Sequence, residues 1–181
     1  MTVAALYVDP DGVYANLPDV EVWDEQRDAR LYAGPWPVVA HPPCNRWVSY
    51  GALSKRGDDD GCFAAALDAV QTYGGVLEHP AQSQAWAAYG LPQPRHGRGE
   101  WVGSLLSGGW ATEVDQWLYG FPTRKVTWLF FVGDVCPSLL RGRVDATRGC
   151  DALWSTQRSK TPPAFRDVLL AMARSAAKVA A

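Results

Sequence analysis

The sequence predicts a three-layer α/β domain on an open sheet, mostly parallel, with an antiparallel hairpin near the C-terminus. Three observations lead there. A short apolar run from Val38 to Ala40 is followed by a helix-period segment and a second apolar run at Val76 and Leu77. Strand, helix, strand over that length is a crossover unit, which makes the two strands parallel neighbours. Thr112 to Tyr119 and the aromatic run Val126 to Val132 flank the turn Gly120-Phe121-Pro122-Thr123 and read as a hairpin. Finally, Phe165, Val168, Leu169, Met172, Ala176 and Val179 form one apolar stripe at helical spacing, suited to packing on a sheet.

Taken in order, Val3 to Val8 reads as a strand that stops at the turn Asp9-Pro10-Asp11-Gly12. Val20 to Trp23 reads as the next strand. The stretch from Gly12 to Asp19 is too short for a crossover helix, so these first two strands are not expected to be parallel neighbours. Asp24 is placed to cap a short helix over residues 25–32, with Asp28 and Arg30 outward and Ala29, Leu31 and Tyr32 inward. The loop Gly34-Pro35-Trp36-Pro37 feeds the strand at 38–40. Asp58, Asp59 and Asp60 precede a helix with Phe63, Leu67 and Val70 on one face, and Gly74 and Gly75 end it. Residues 82–90 read as a helix. Residues 91–109, rich in Pro, Gly and Arg, read as a loop in which Arg95-His96-Gly97-Arg98 is either a phosphate-gripping or substrate-covering segment or a disordered basic one. Thr161 is the expected cap of the last helix, with Pro162 and Pro163 in its first turn.

The chain has 181 residues, enough for one domain over 1–181 with a substantial core. Its 48% hydrophobic and 20% charged residues are ordinary for a globular protein, and no apolar run is long enough to span a bilayer. No export signal is visible, so the cytoplasm is the expected location. Four cysteines and three histidines lack paired metal-ligand spacing, which argues for free thiols and no metal. A net charge of −2 gives no general pull toward nucleic acid, although the second half is the more basic. Nine tryptophans suit either base stacking or core filling.

The chemistry concentrates at two strand ends. After Val38-Val39-Ala40 come His41, Pro42, Pro43 and Cys44, and the two prolines forbid further ladder pairing, so the chain leaves the sheet at Cys44. After Val76-Leu77 come Glu78, His79 and Pro80. Parallel neighbours bring Cys44 and Glu78 to one sheet edge, where open α/β sheets bind ligands. A thiol and a carboxylate there serve as nucleophile and proton donor. Each has a plain structural reading as well: a small buried hydrophobe for Cys44, a solvated loop acid for Glu78.

Together with Gln116-Trp117-Leu118-Tyr119-Gly120-Phe121-Pro122-Thr123-Arg124-Lys125-Val126-Thr127 and Thr161-Pro162-Pro163, these segments resemble degenerate motifs of DNA cytosine-5 methyltransferases, in the same order along the chain. The Tyr-Gly-x-Pro run before a Lys and Thr is similar to short methyltransferase-like proteins of bacteriophages, which would place the protein in a bacterial host cell. The resemblance implies a Rossmann-like, methyltransferase-like sheet and a base-modifying transferase. Cys44 would add to carbon 6 of a pyrimidine, while Glu78 holds the ring nitrogen and exocyclic amine. His41, Pro43, Asn45, His79, Arg124, Lys125 and Thr127 would surround the base. S-adenosylmethionine would be the cofactor, met by Asp9, Gly12, Asp24 and Thr161. The substrate would be DNA, single-stranded or with a flipped base, or a free nucleotide.

The departures from that family are specific. It opens with a strand, a Gly-rich turn and a helix that cradle the cofactor, and here Gly12 is the only glycine between the first two strands. Asp24 reads as a helix cap or as a ribose ligand. His79 replaces the usual Asn beside the glutamate. These differences leave open a repurposed nucleotide- or nucleoside-binding protein that no longer uses S-adenosylmethionine, acting either through a carboxylate or as a non-catalytic phage decoy. A second subunit completing so short a cofactor half would make the protein a homodimer.

Overall fold

The computed structural model describes residues 1–48, 58–142, 149, 153 and 155–176. Val179 of the apolar stripe, Cys150 among the four cysteines, and Arg143 and Arg148 of the basic second half lie outside the described residues. The seven-stranded sheet runs β2 (Val20–Trp23), β1 (Val3–Leu6), β3 (Val38–Ala40), β4 (Gly75–Pro80), β7 (Val126–Val132), β6 (Gly109–Asp115), β5 (Val102–Ser104). The first four are parallel, and β7, β6 and β5 continue the sheet antiparallel.

Alternation along the strands divides the core in two. Ala4, Leu6, Val38, Ala40, Leu77, Trp128 and Phe130 face one layer with α1 (Cys62–Tyr73) and α2 (Gln84–Ala88), where Phe63, Leu67, Val70 and Trp86 meet them. Val3, Ala5, Val39, Val76, Leu129 and Phe131 face the other, covered by Phe165, Leu169 and Met172 of α4 (Pro163–Ser175). A four-residue α3 (Ser155–Arg158) precedes α4. The α/β reading, the parallel β3/β4 pair and the β6/β7 hairpin therefore hold, and Val38, Val39 and Ala40 register with Gly75, Val76 and Leu77.

Several expectations are corrected. β1 and β2 are parallel neighbours after all, with Val3 opposite Val20. The connection over residues 7–19 returns without a helix by using tight turns, with Tyr7, Asn16 and Asp19 at φ 60°, 57° and 59°, left-handed positions that reverse the chain in few residues. No α-helix covers 25–32; Asp28 sits at φ 53°, and only a 3-10 turn, Ala29–Leu31, follows it. Asp28 accepts from Arg30 N, Asp24 Oδ1 accepts from Arg27 N at 2.8 Å, and Leu31 points outward at 69% exposure. β4 extends through Glu78 to Pro80 because β7 keeps pairing with it after β3 has ended, so Glu78 opposes Leu129 within the sheet.

The loop over 91–109 contains β5, and β6 starts at Gly109 rather than at 112. Gly103 permits that pairing: a Cβ there would lie 2.7 Å from the Trp110 ring. β6 ends at Asp115, and Gln116–Tyr119 form a 3-10 turn with the Asp115 side chain accepting from Trp117 N. Thr161 makes no cap on α4; the cap position is Pro162, whose carbonyl accepts from Arg166 N at 2.9 Å. At α1 one of the three aspartates does the capping work: Asp59 Oδ2 accepts from Phe63 N at 3.2 Å and from Trp47 Nε1 at 2.8 Å.

Candidate functional site

The site is built at the C-terminal ends of β1, β3 and β4. β3 ends at Ala40 and delivers His41, while the following β4 places Glu78 on the sheet face covered by α4. His41 Nδ1 lies 2.9 Å from Glu78 Oε2, and the Tyr14 hydroxyl lies 2.8 Å from His41 Nε2. The other carboxylate oxygen, Oε1, accepts from Gln116 Nε2 at 3.1 Å and from the Thr127 hydroxyl. That hydroxyl is also 2.9 Å from the His79 carbonyl oxygen, and its single proton can serve only one of the two at a time. Three side chains thus converge on one carboxylate, and Tyr14 joins them through His41.

The electrostatics follow from this shell. Burial drives the Glu78 carboxyl upward, but the hydrogen bond and charge of His41, the Lys125 ammonium and the Thr127 hydroxyl outweigh it and hold it at about 2, below its ordinary 4.5. Glu78 is therefore an ion. The Tyr14 phenol is pushed well above its usual range by burial first and by the Glu78 charge second. Cys44, half-buried beyond the two prolines, is also raised, by burial and then by Glu78, with Lys125 and Arg158 pulling the other way. It is a thiol in the resting protein, not a thiolate.

A cleft of about 560 Å³ opens beside this network. Its wall is made by the turn after β1, including Tyr7, Asp9, Asp11, Gly12 and Tyr14, by His41, and by Thr156, Ser159, Lys160 and Thr161 from the approach to α4. From β1 the sheet order proceeds to β2 on one side and to β3 on the other, so the cleft sits at a topological switch point, the usual ligand position in open α/β sheets. Gly12 belongs to a turn closed by its N–H on the Asp9 carbonyl at 2.9 Å, and a Cβ there would stand 3.0 Å from that same oxygen.

Of the residues singled out in the sequence, His41, Glu78 and Thr127 meet in one network, and Asp9, Gly12, His41 and Thr161 line one cleft. Lys125 stands between the two groups; its ammonium donates to the Lys160 carbonyl at 2.9 Å and lies 4.8 Å from the centre of the Phe121 ring. Arg124 is turned to Asp115, with Nε 3.2 Å from Oδ2. Pro43 and Asn45 are exposed on the turn around Cys44, and Cys44 is not part of the cleft wall. Asp24 lies at the end of β2, outside the cleft, bonded to its own turn.

His79 points to the opposite face of the sheet, where its ring packs against Phe63 and Trp86, with centroids 5.3 Å and 6.2 Å away. Neither of its nitrogens has a hydrogen-bond partner; the Pro43 carbonyl favours the protonated ring without reaching bonding geometry. The basic segment at 95–98 is tied down by Glu113, whose carboxylate meets His96 Nδ1 at 3.0 Å, Gly97 N at 2.9 Å and Trp128 Nε1 at 3.0 Å. Tyr14 and Gln116 are the participants that sequence reasoning did not assign. Gln116 headed a quoted motif and was legible to that extent; Tyr14 lies in a turn-rich connection with no pattern to mark it.

Cys44, Cys62 and Cys136 are free thiols. Among the described residues no group of three or more His, Cys, Asp or Glu is arranged to hold a metal ion, and no helix is long and apolar enough to cross a membrane. Comparison with known proteins finds no matching family model and no matching curated protein.

Proposed function

We propose that the protein is a base-modifying enzyme of the cytosine-5 methyltransferase type, acting on DNA or on a free nucleotide. The observation that carries this reading is the convergence of His41, Gln116 and Thr127 on Glu78, with Cys44 close enough to feel the Glu78 charge. These are the segments whose order in the chain suggested the family, and a shared carboxylate is a physical reason for their occurring together.

The chemistry asked of the residues is definite. Cys44 Sγ forms a bond to carbon 6 of the base, the electron pair of the 5,6 double bond moves to carbon 5, that carbon takes the electrophile, and loss of its proton then restores the double bond and breaks the Sγ–carbon 6 bond. Glu78 accepts from the exocyclic amine and, once it has taken the Cys44 proton, passes that proton to the ring nitrogen, where it neutralises the charge that develops. Lys125 lowers the cost of a thiolate at Cys44. The thiol starts protonated, so its proton must leave as the base arrives, and the ionised Glu78 is the acceptor already in its field. The cleft fits the cofactor in volume and in its Asp9 and Asp11 carboxylates, which suit sugar hydroxyls and a cationic sulfonium. S-adenosylmethionine held there would supply the methyl group.

A second reading is favoured by one specific feature: Tyr14 and His41 line the cleft and Cys44 does not. In that reading the pocket binds a nucleotide or nucleoside and works through His41 and Glu78, or holds its ligand without turnover, and S-adenosylmethionine plays no part. The deciding experiment incubates wild-type protein and Cys44→Ala with S-adenosylmethionine and an oligonucleotide carrying 5-fluorocytosine. Fluorine cannot leave carbon 5 as a proton does, so a methylated protein–DNA adduct should accumulate in the wild type only, visible by intact mass. Absence of that adduct, together with no binding of the cofactor by calorimetry, sinks the first reading in favour of the second.

A further inference from the structure

The two edges of the sheet are finished differently. On β2 the carbonyls of Asp19 and Trp23 accept from Val3 N and Tyr7 N at 3.0 and 2.9 Å, so alternation turns the Val22 carbonyl outward. Arg27 closes that edge: its guanidinium donates to the Val22 carbonyl at 3.3 Å, pairs with Glu21 and lies 3.8 Å from the centre of the Trp23 ring. Charge of this kind is an ordinary guard against a further strand. β5 has no such guard, because the chain carries no charged residue from Trp101 to Thr112. The Ser104 carbonyl turns inward to accept from Gly108 N at 3.1 Å, which leaves the N–H and carbonyl of Gly103 facing away from β6. Beside it Leu105 and Leu106 are fully exposed and Trp110 is 41% exposed. The hairpin tip that carries the leucines is held to α1 by Gln71, whose Nε2 donates to the Ser107 carbonyl at 2.9 Å.

A second copy of the chain matches this edge in pattern and in charge. A two-fold axis at Gly103 lays β5 antiparallel to its own copy, with Val102 of one opposite Ser104 of the other and, one residue further on, Leu105 opposite Trp101. Trp101 packs on Phe131, and the Trp110 ring lies across Gly103, where a Cβ would stand 2.7 Å from it, so both rings are on the sheet face covered by α4. Each Leu105 is thereby brought to the Trp101 and Trp110 rings of the other copy. A charge near such an axis would meet its own like, and none is present.

We propose that β5 pairs edge to edge with β5 of a second copy, joining two seven-stranded sheets into one continuous sheet about a two-fold axis at Gly103. β5 is at the end of the sheet away from β1 and β3, so the cleft and Cys44 stay open in both copies. The pairing goes beyond both readings of the function and requires neither.

The test is sedimentation equilibrium of the full chain from about 1 to 200 μM, a range that brackets the micromolar dissociation constant expected of so small an interface. The mass should rise from 19.8 kDa toward twice that value. Leu105→Asp changes an exposed residue, so the unfolding midpoint should hold, while association should weaken about tenfold or more, because two leucines leave the interface and two carboxylates are set against aromatic rings. Hydrogen exchange should show protection of the amides over 101–105 that grows with concentration. A monomer at every concentration overturns the proposal and leaves the edge to a strand of a different protein. A dimer that Leu105→Asp leaves intact, or one in which the 101–105 amides exchange equally fast at all concentrations, overturns it too.

Discussion

Glu78 and His79 are consecutive residues on β4, nearly equally hidden at 8% and 1% exposure, and the two faces of the sheet treat them in opposite ways. Glu78 enters a polar shell in which His41, Gln116 and Thr127 reach its two oxygens, and it keeps its charge. His79 enters a cage of Phe63 and Trp86 with no partner for either nitrogen, and burial holds it neutral, its pKa lowered to about 4 from 6.5. Burial alone decides neither protonation state; the donors that come with it do. The same contrast separates a place built to hold a charge from one built to fill space.

Removing the charge from its shell should break this contrast most severely. Glu78→Ala leaves His41, Gln116 and Thr127 without their common acceptor, and urea unfolding should show a loss of about 3–5 kcal/mol, the range for stripping one partner from a buried pair. Acid should come next, in two windows. His79 has a folded pKa of about 4 below its ordinary 6.5, so the stability it contributes is complete above 6.5 and is lost as pH falls toward 4. Glu78, at about 2 against 4.5, contributes stability complete above 4.5 and lost as pH falls toward 2. Each window is worth ~3 kcal/mol at about 1.4 kcal/mol per unit, and stability curves from pH 8 to 2 would show them in sequence.

His79→Leu sharpens the comparison in the other direction. It removes two buried, unpartnered nitrogens, so unfolding at pH 7 should show a gain of about 1 kcal/mol, and the upper acid window should vanish while the lower one remains. A loss of stability, or an unchanged upper window, would mean that a hidden partner satisfies the ring. Thr127→Val is the smallest change, because its one proton goes to Glu78 or to the His79 carbonyl and Glu78 keeps its bonds from His41 and Gln116. A cost of about 1 kcal/mol is expected, with the Glu78 window moving to higher pH as one donor to its ion is lost.

Much of this framework was legible residue by residue. The apolar runs at 38–40 and 76–77 with a helical segment between them required parallel neighbours, and so placed Cys44 and Glu78 at one edge. The period along 163–175 announced a helix that covers one face. Less legible were the features made by turns and by distant partners. Asp28 in a left-handed conformation undid a helix that Asp24 appeared placed to cap, and Gly103 admitted a strand inside a segment that composition marked as loop. The Glu113 carboxylate pinned the 95–98 segment from a strand far along the chain.

The sequence by itself determined the parallel β3/β4 pair, the β6/β7 hairpin, the last helix and the alternation that sends neighbouring side chains to opposite faces, because these depend on local sterics and on a period of two or 3.6 residues. Tertiary structure alone decided that Tyr14 completes the network, that Glu78 is ionised while His79 is neutral, and that Cys44 stands outside the cleft wall. Those outcomes depend on which groups from remote segments arrive within about 3 Å of one another, and no local pattern in the chain encodes that distance.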